Sequence, residues 1–229
     1  MMAAPTPNAV GGYVLAGGKS SRLGEDKALL TLAGKTLLEH AVEKLRHVCM
    51  DVRVLGNGPA YAAYAPVVPD LHPGCGPLGG MEAGLTQSAF EWNLFVPVDM
   101  PFVPMPFLNG WVRATVERGE TGLRISMFTV DGLPQPTLAM IHSAVLPYIK
   151  DAVAKGEWKL YPVLEEAGKK LAGKMDLLPG VVFRNSPWDA ESVVGVTEGQ
   201  RAARHLWFAN LNTWKDVREA QVWADACGV

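Results

Sequence analysis

Four short apolar runs each stop at a glycine or an aspartate, and helical periodicity occupies the intervals between them. Tyr13-Val14-Leu15-Ala16 ends at Gly17-Gly18, and Val52-Arg53-Val54-Leu55 ends at Gly56-Asn57-Gly58. Val67-Val68 ends at Pro69-Asp70, and Leu94-Phe95-Val96-Pro97-Val98 ends at Asp99. Leu37, Leu38, Ala41, Val42 and Leu45 repeat at helical spacing, and helices are predicted over Gly80 to Ser88 and Met105 to Glu117. Strands alternating with helices predict an α/β fold with a mainly parallel central sheet, whose ligands bind beyond the carboxyl ends of the strands. The loops after residues 16, 55, 68 and 98 then open on one edge. Pro97 lacks a backbone donor and weighs against a central position for its strand.

The second half is less regular. Ile125 to Val130 and Thr137 to Ile141 read as strands around Asp131-Gly132-Leu133-Pro134, Ser143 to Ala154 and Trp158 to Ala167 read as helices, and a last helix starts at Trp214 with Thr213 and Asp216 forming its cap. Residues 171–204 carry few periodic signals and read as an insertion or an extended loop. The 229 residues fit a single domain, with residues 1–9 as a flexible tail and no signal-peptide pattern. Cys49, Cys75 and Cys227 are widely spaced, without a CxxC pair, as expected of reduced thiols in a cytoplasmic protein. With 21 Lys+Arg against 23 Asp+Glu, no global field draws in a nucleic acid. The most apolar window, Trp92 to Val112, is broken by Asp99 and several prolines and predicts no membrane span.

The segment Leu15-Ala16-Gly17-Gly18-Lys19-Ser20-Ser21-Arg22-Leu23-Gly24-Glu25-Asp26-Lys27 carries the chemistry. Its glycines let backbone amides approach an anion, and its cations follow a strand directly. It is not a P-loop, because the required first glycine falls at Tyr13, and it is not a dinucleotide fingerprint, because Gly17 and Gly18 are adjacent. A second glycine cluster follows Asp70, from Gly74 through Gly76-Pro77-Leu78-Gly79-Gly80-Met81, and the two are expected to form two loops at the sheet edge.

These residues resemble the nucleotidyltransferase signature LAGGxSxRxGxDK, and among such enzymes the MobA family of molybdenum cofactor guanylyltransferases. The resemblance implies a three-layer, Rossmann-like (GT-A-like) fold. It also implies transfer of GMP from GTP to the phosphate of molybdopterin or Mo-molybdopterin, with pyrophosphate released. Leu15, Ala16 and Gly17 would meet the base and ribose, Gly18 would also bind the nucleotide, and Arg22 and Lys27 would meet the phosphates. Asp99, in Asp99-Met100-Pro101, matches the family's metal site and would hold Mg2+. Asp70, ahead of the GPLGGM segment, matches a nucleotide-binding aspartate, and Asn57 a nearby asparagine. A carboxylate suits guanine, whose N1–H and N2–H₂ are adjacent donors. Gln135 matches the segment beside the pterin pocket, and Asn210 and Asn212 match the NxNTP motif on the acceptor side. Trp214 stands where that motif has proline.

Two other readings stay open at this point. One is a cytidylyltransferase of the same pathway, or a sugar- or alcohol-phosphate nucleotidyltransferase. The other is a silent nucleotide-binding adaptor for molybdoenzyme maturation proteins, against which the presence of Arg22, Lys27 and Asp99 together argues.

Overall fold

Apolar runs bounded by turn chemistry become strands buried on both faces, and the amphipathic intervals cover them. The structure, a computed structural model, describes residues 9–17 and 24–229. In chain order the strands are β1 Val10–Leu15, β2 Thr31–Leu32, β3 Lys35–Thr36, β4 Asp51–Leu55, β5 Val67–Val68, β6 Trp92–Pro97, β7 Ile125–Val130, β8 Leu133–Pro134, β9 Ala139–His142 and β10 Phe183–Pro187. The α-helices are α1 Leu37–Val48, α2 Gly76–Gln87, α3 Met105–Gly119, α4 Leu146–Ala154, α5 Leu160–Met175, α6 Pro179–Val182, α7 Glu198–Ala202 and α8 Trp214–Cys227.

The sheet runs β10-β7-β9-β6-β1-β4-β5, with β8 paired to β7 and β2-β3 a separate small hairpin. β1 is parallel to β4 and β6, β4 to β5, and β10 to β7, while β9 is antiparallel to β6 and β7. The carboxyl ends of β1, β4, β5, β6, β7 and β10 therefore share one edge.

Alternate residues of β1 separate two layers of core, as the two-residue period of a strand requires. Val10 and Val14 face α1, α3 and α8, packing with Leu38, Val42, Leu108 and Ala220. Tyr13 and Leu15 face α2, α4 and α5, packing with Leu78, Met81, Ile149 and Leu164. The sheet is thus covered on both sides, which is why its strands read as continuous apolar runs.

Pro97 is tolerated at the end of β6. Val98 N donates to Leu15 O, so the donor that Pro97 lacks would point toward β9, whose pairing with β6 stops at Phe95 opposite Ala139.

Three expectations need correction. α2 starts at Gly76, four residues before the expected start at Gly80, so much of the second glycine cluster is the first turn of a helix with Pro77 in it. The expected helix over Trp158 to Ala167 runs instead from Leu160 to Met175. Residues 171–204, which read as an insertion or extended loop, hold the end of α5, then α6, β10 and α7. Each of the last three is at most five residues long, too short for periodicity to register.

The three cysteines are free and buried. Among the described residues no helix is long and apolar enough to cross a membrane.

Candidate active site

At the carboxyl edge, β1 passes through Ala16 and Gly17 and the chain returns at Gly24. Asp26 caps a short 3-10 turn, Lys27–Leu29, by accepting from Ala28 N at 3.0 Å. That cap sets the direction of Lys27. Its Nζ lies 2.5 Å from Asp99 Oδ2, just beyond β6, and donates to Asn212 Oδ1 at 2.7 Å. Asn210, its amide nitrogen turned toward the carboxylate, donates to Asp99 Oδ1 at 3.1 Å and to Oδ2 at 3.3 Å. Leu211 N donates to Asp99 O at 3.1 Å, which locks the Asn210–Asn212 strap against the end of β6. The side chains of Lys27 and Asp99 are 15% and 17% exposed, so their ion pair is sheltered and still reachable.

Asn212 itself is held by α8. Asp216 Oδ2 accepts from Asn212 N at 2.9 Å and Thr213 N at 2.7 Å, while Thr213 Oγ1 accepts from Asp216 N, a complete capping box. Trp214, in place of a helix-starting proline, leaves that cap intact.

On the same edge, over β4 and β5, lies a cavity of about 550 Å³ lined by Ala16, Gly17, Gly24, Asp26, Asn57, Tyr61 and Asp70 among others. Asp70 follows β5 and lies over α2, where a Cβ added at Gly80 would sit 3.7 Å from Asp70 Oδ1. Burial raises the Asp70 carboxyl above the ordinary aspartate value. Leu15 is buried against α2 and does not line the cavity.

Tyr61 is a residue that sequence reasoning missed. Its hydroxyl lies 3.0 Å from Asp26 Oδ1 and 3.2 Å from Ala16 O, so one proton is shared between the two ends of the glycine-rich loop. Burial and then the Asp26 carboxylate raise its phenol pKa, which keeps that proton in place. The ring fills the space left by glycines: a Cβ at Gly58 would lie 2.4 Å from it. Gly56-Asn57-Gly58 is therefore a seat for Tyr61 as well as a turn.

The Asp26 carboxylate accepts from Ala28 N and from the Tyr61 hydroxyl. Among the described residues no cluster of three or more His, Cys, Asp or Glu could hold a metal ion. Gln135 stays apart from this group: its amide donates back to Leu133 O at 3.2 Å in the β7–β8 hairpin. Gly18 and Arg22 lie outside the described residues.

A sheet edge that gathers a lysine, a carboxylate and a glycine-lined cavity is suited to a polyphosphate. The MobA-like NTP transferase domain matches residues 12–171 of the chain. The chain belongs to this family. Curated members similar to it include the molybdenum cofactor guanylyltransferase of Serratia proteamaculans, 36% identical over 69% of this chain and 81% of that protein. The molybdenum cofactor guanylyltransferase of Yersinia pseudotuberculosis is 31% identical over 81% of this chain and 94% of its own length. Among solved structures, molybdopterin-guanine dinucleotide biosynthesis protein A from Archaeoglobus fulgidus shares the fold with a TM-score of 0.69 at 23% identity, covering 94% of this chain and 98% of that one. The three-layer, GT-A-like architecture is thus that of the MobA-like transferases.

For a MobA-like transferase the Tyr61 hydroxyl has a measurable consequence. Tyr61→Phe keeps the ring in its seat and removes a bond of about 1 kcal/mol, so the dissociation constant for the nucleoside triphosphate is expected to rise roughly 3- to 10-fold. Calorimetric titration checks this, and an unchanged constant would show that the hydroxyl does not organise the cavity.

Proposed function

We propose that this chain is a Mg2+-dependent guanylyltransferase that moves GMP from GTP onto the terminal phosphate of molybdopterin or Mo-molybdopterin and releases pyrophosphate. One observation carries the reading: Lys27, Asp99, Asn210 and Asn212, from distant parts of the chain, form one hydrogen-bonded group beside the cavity that holds Asn57 and Asp70. The guanylyltransferase names of the relatives support the choice of nucleotide and acceptor.

An acceptor phosphate oxygen attacks the α-phosphorus of GTP. The new P–O bond forms as the α–β bridging bond breaks, and the electron pair leaves with pyrophosphate. The acceptor is already anionic, so no protein nucleophile is required, and the protein contributes positioning and charge. Lys27, exchanged from Asp99 onto the phosphates, stabilises the charge on the departing oxygens, with Arg22 in the same role and Gly17 and Gly18 giving room to the nucleotide. Asp99 fits the metal, since Mg2+ takes one or two carboxylates and completes its shell with phosphates and water. When bound it would neutralise phosphate charge. Asn210 and Asn212 hold Asp99 and Lys27 in position and, with Gln135, face the acceptor in this reading.

Asp70 accepts from guanine N1–H and N2–H₂, which requires the ionised carboxylate. Because burial raises its pKa, ionisation is completed at a higher pH than for an ordinary aspartate. GTP affinity is therefore expected to fall as the pH drops through that raised value, and to do so earlier than a pKa of 3.8 would dictate. Titrations of the wild type and Asp70→Asn across this range check the sign, since the variant should lose the dependence.

Thermal-shift measurements with Mg2+ and each of GTP, CTP, ATP and UTP test the nucleotide choice. The largest stabilisation is expected with GTP, and a larger one with CTP would overturn the guanine assignment.

A further inference from the structure

A second cleft lies between α3 and the edge strand β10. Its volume is about 360 Å³, within the range of small-molecule sites. The register of β10 on β7 sets Arg184 beside Ser126 and Ser186 beside Phe128, and these four residues form its floor. One wall is a single face of α3, with Phe107, Trp111 and Arg118, and the other is the segment after β10, with Trp188.

Three features of this cleft each call for a particular chemical group. The first is aromatic. Phe107, Phe128 and Trp188 pack edge to face at 4.9–5.7 Å, with Trp111 stacked on Phe107 at 5.6 Å. Beside them the wall is missing a side chain at Gly110, where an added Cβ would meet nothing within 4 Å. This leaves a slot against π-faces, which suits a flat ring.

The second is a donor. Ser126 is 5% exposed, and its Oγ accepts from Trp111 Nε1 at 2.9 Å. Among the described residues its own O–H has no acceptor, so a ring nitrogen or carbonyl can take it.

The third is charge. Arg118 and Arg184 are exposed at the cleft and, among the described residues, neither is paired with a carboxylate. Arg184 Nε donates only to Ser186 Oγ, at 3.0 Å. The one carboxylate in the lining, Asp189, is turned to cap Glu191 N. Two unpaired guanidiniums suit a phosphate or carboxylate.

We infer that this cleft is a second binding site, for a planar heteroaromatic anion of mononucleotide size. The ring enters at Gly110 against Trp188 and Phe128, its acceptor atom meets Ser126, and its anionic group lies between Arg118 and Arg184. The aromatic cluster continues inward to Phe208, 4.6 Å from Trp188, and two residues further along the chain is Asn210 on Asp99. The cleft is therefore linked through packed rings to the strap that holds Asp99. Two sources have this chemistry, a free nucleotide and the pterin ring of the acceptor.

The test is calorimetric titration of the full chain, saturated with GTP and Mg2+ so that the first cavity is filled, with GMP and separately with pterin-6-carboxylate. The pterin titration is repeated without nucleotide, so that it stands whether or not GTP is the substrate. One-to-one saturable binding of at least one probe is expected, weakened 10-fold or more in Gly110→Leu and at least 3-fold in Arg184→Ala. Neither substitution touches the Lys27–Asp99 group, and Gly110→Leu projects into open space, so GTP binding should be unchanged in both. Tighter binding of GMP identifies the nucleotide source and tighter binding of the pterin identifies the acceptor ring; each supports the site. Absence of saturable binding by both probes, or affinities unchanged in both variants, overturns it.

Discussion

Asp99→Asn is expected to reduce Mg2+-dependent pyrophosphate release from GTP by about 10³-fold, the scale associated with removing one preorganised electrostatic group from a transfer site. The substitution keeps the size of the side chain and its contact with Asn210, and removes the charge that pairs with Lys27 and that the proposed metal would need. Lys27 then loses the Asp99 charge while its bond to Asn212 Oδ1 remains. GTP binding measured without Mg2+ should change by less than 10-fold, since the proposed base and ribose contacts lie in the cavity over β4 and β5. A variant that kept wild-type turnover would remove Asp99 from the chemistry.

The second large effect is structural. Gly199, in α7, lies so close to α8 that an added Cβ would overlap the backbone carbonyl of Ala226. No side-chain rotation relieves contact with a backbone atom, so Gly199→Ala must push the two helices apart. The shift would strain the bond that joins them, Gln200 Nε2 to Cys227 O at 3.2 Å, and the bond from Trp207 Nε1 to Gln200 O at 2.9 Å. Overpacking of this kind costs about 1–3 kcal/mol. For a chain of this length that corresponds to a Tm lower by roughly 2–10 °C, with m unchanged if unfolding stays cooperative. An unaltered Tm would show that α7 does not dock on α8 in solution.

These two sites differ in how far they could be read from the residues alone. β1, β4 and β6 stand out because both faces of the sheet are covered, which turns each strand into an unbroken apolar run ended by turn residues. The loops that carry the cavity follow directly from that. The opposite holds for β10: as a half-exposed edge strand it reads Phe-Arg-Asn-Ser-Pro, which no two-residue alternation marks. α7 is equally hidden, and only its Thr197–Gln200 capping box was there to be found. Within the active site, Lys27 and Asp99 stood out as a cation in a glycine-rich loop and a carboxylate at a strand end. Their union with Asn212, 185 residues away from Lys27, has no local signal and came only through the family resemblance. Tyr61 had none at all, because a tyrosine in a short 3-10 turn has no periodicity, and its value lies in a proton shared between Ala16 and Asp26.

The Lys27–Asp99 pair also sets the terms on which a nucleotide can enter. With ammonium and carboxylate 2.5 Å apart, the two cancel at a distance, and together they exert little long-range pull on a polyanion. In the proposed reaction arrival would be a swap of partners, with a metal in the place of Lys27 at Asp99 and the phosphates in the place of Asp99 at Lys27. Triphosphate without a divalent ion would set Asp99 beside like charge, and the ion without triphosphate would separate Lys27 from this carboxylate. The ion pair would thus favour the two arriving together as one neutralised unit.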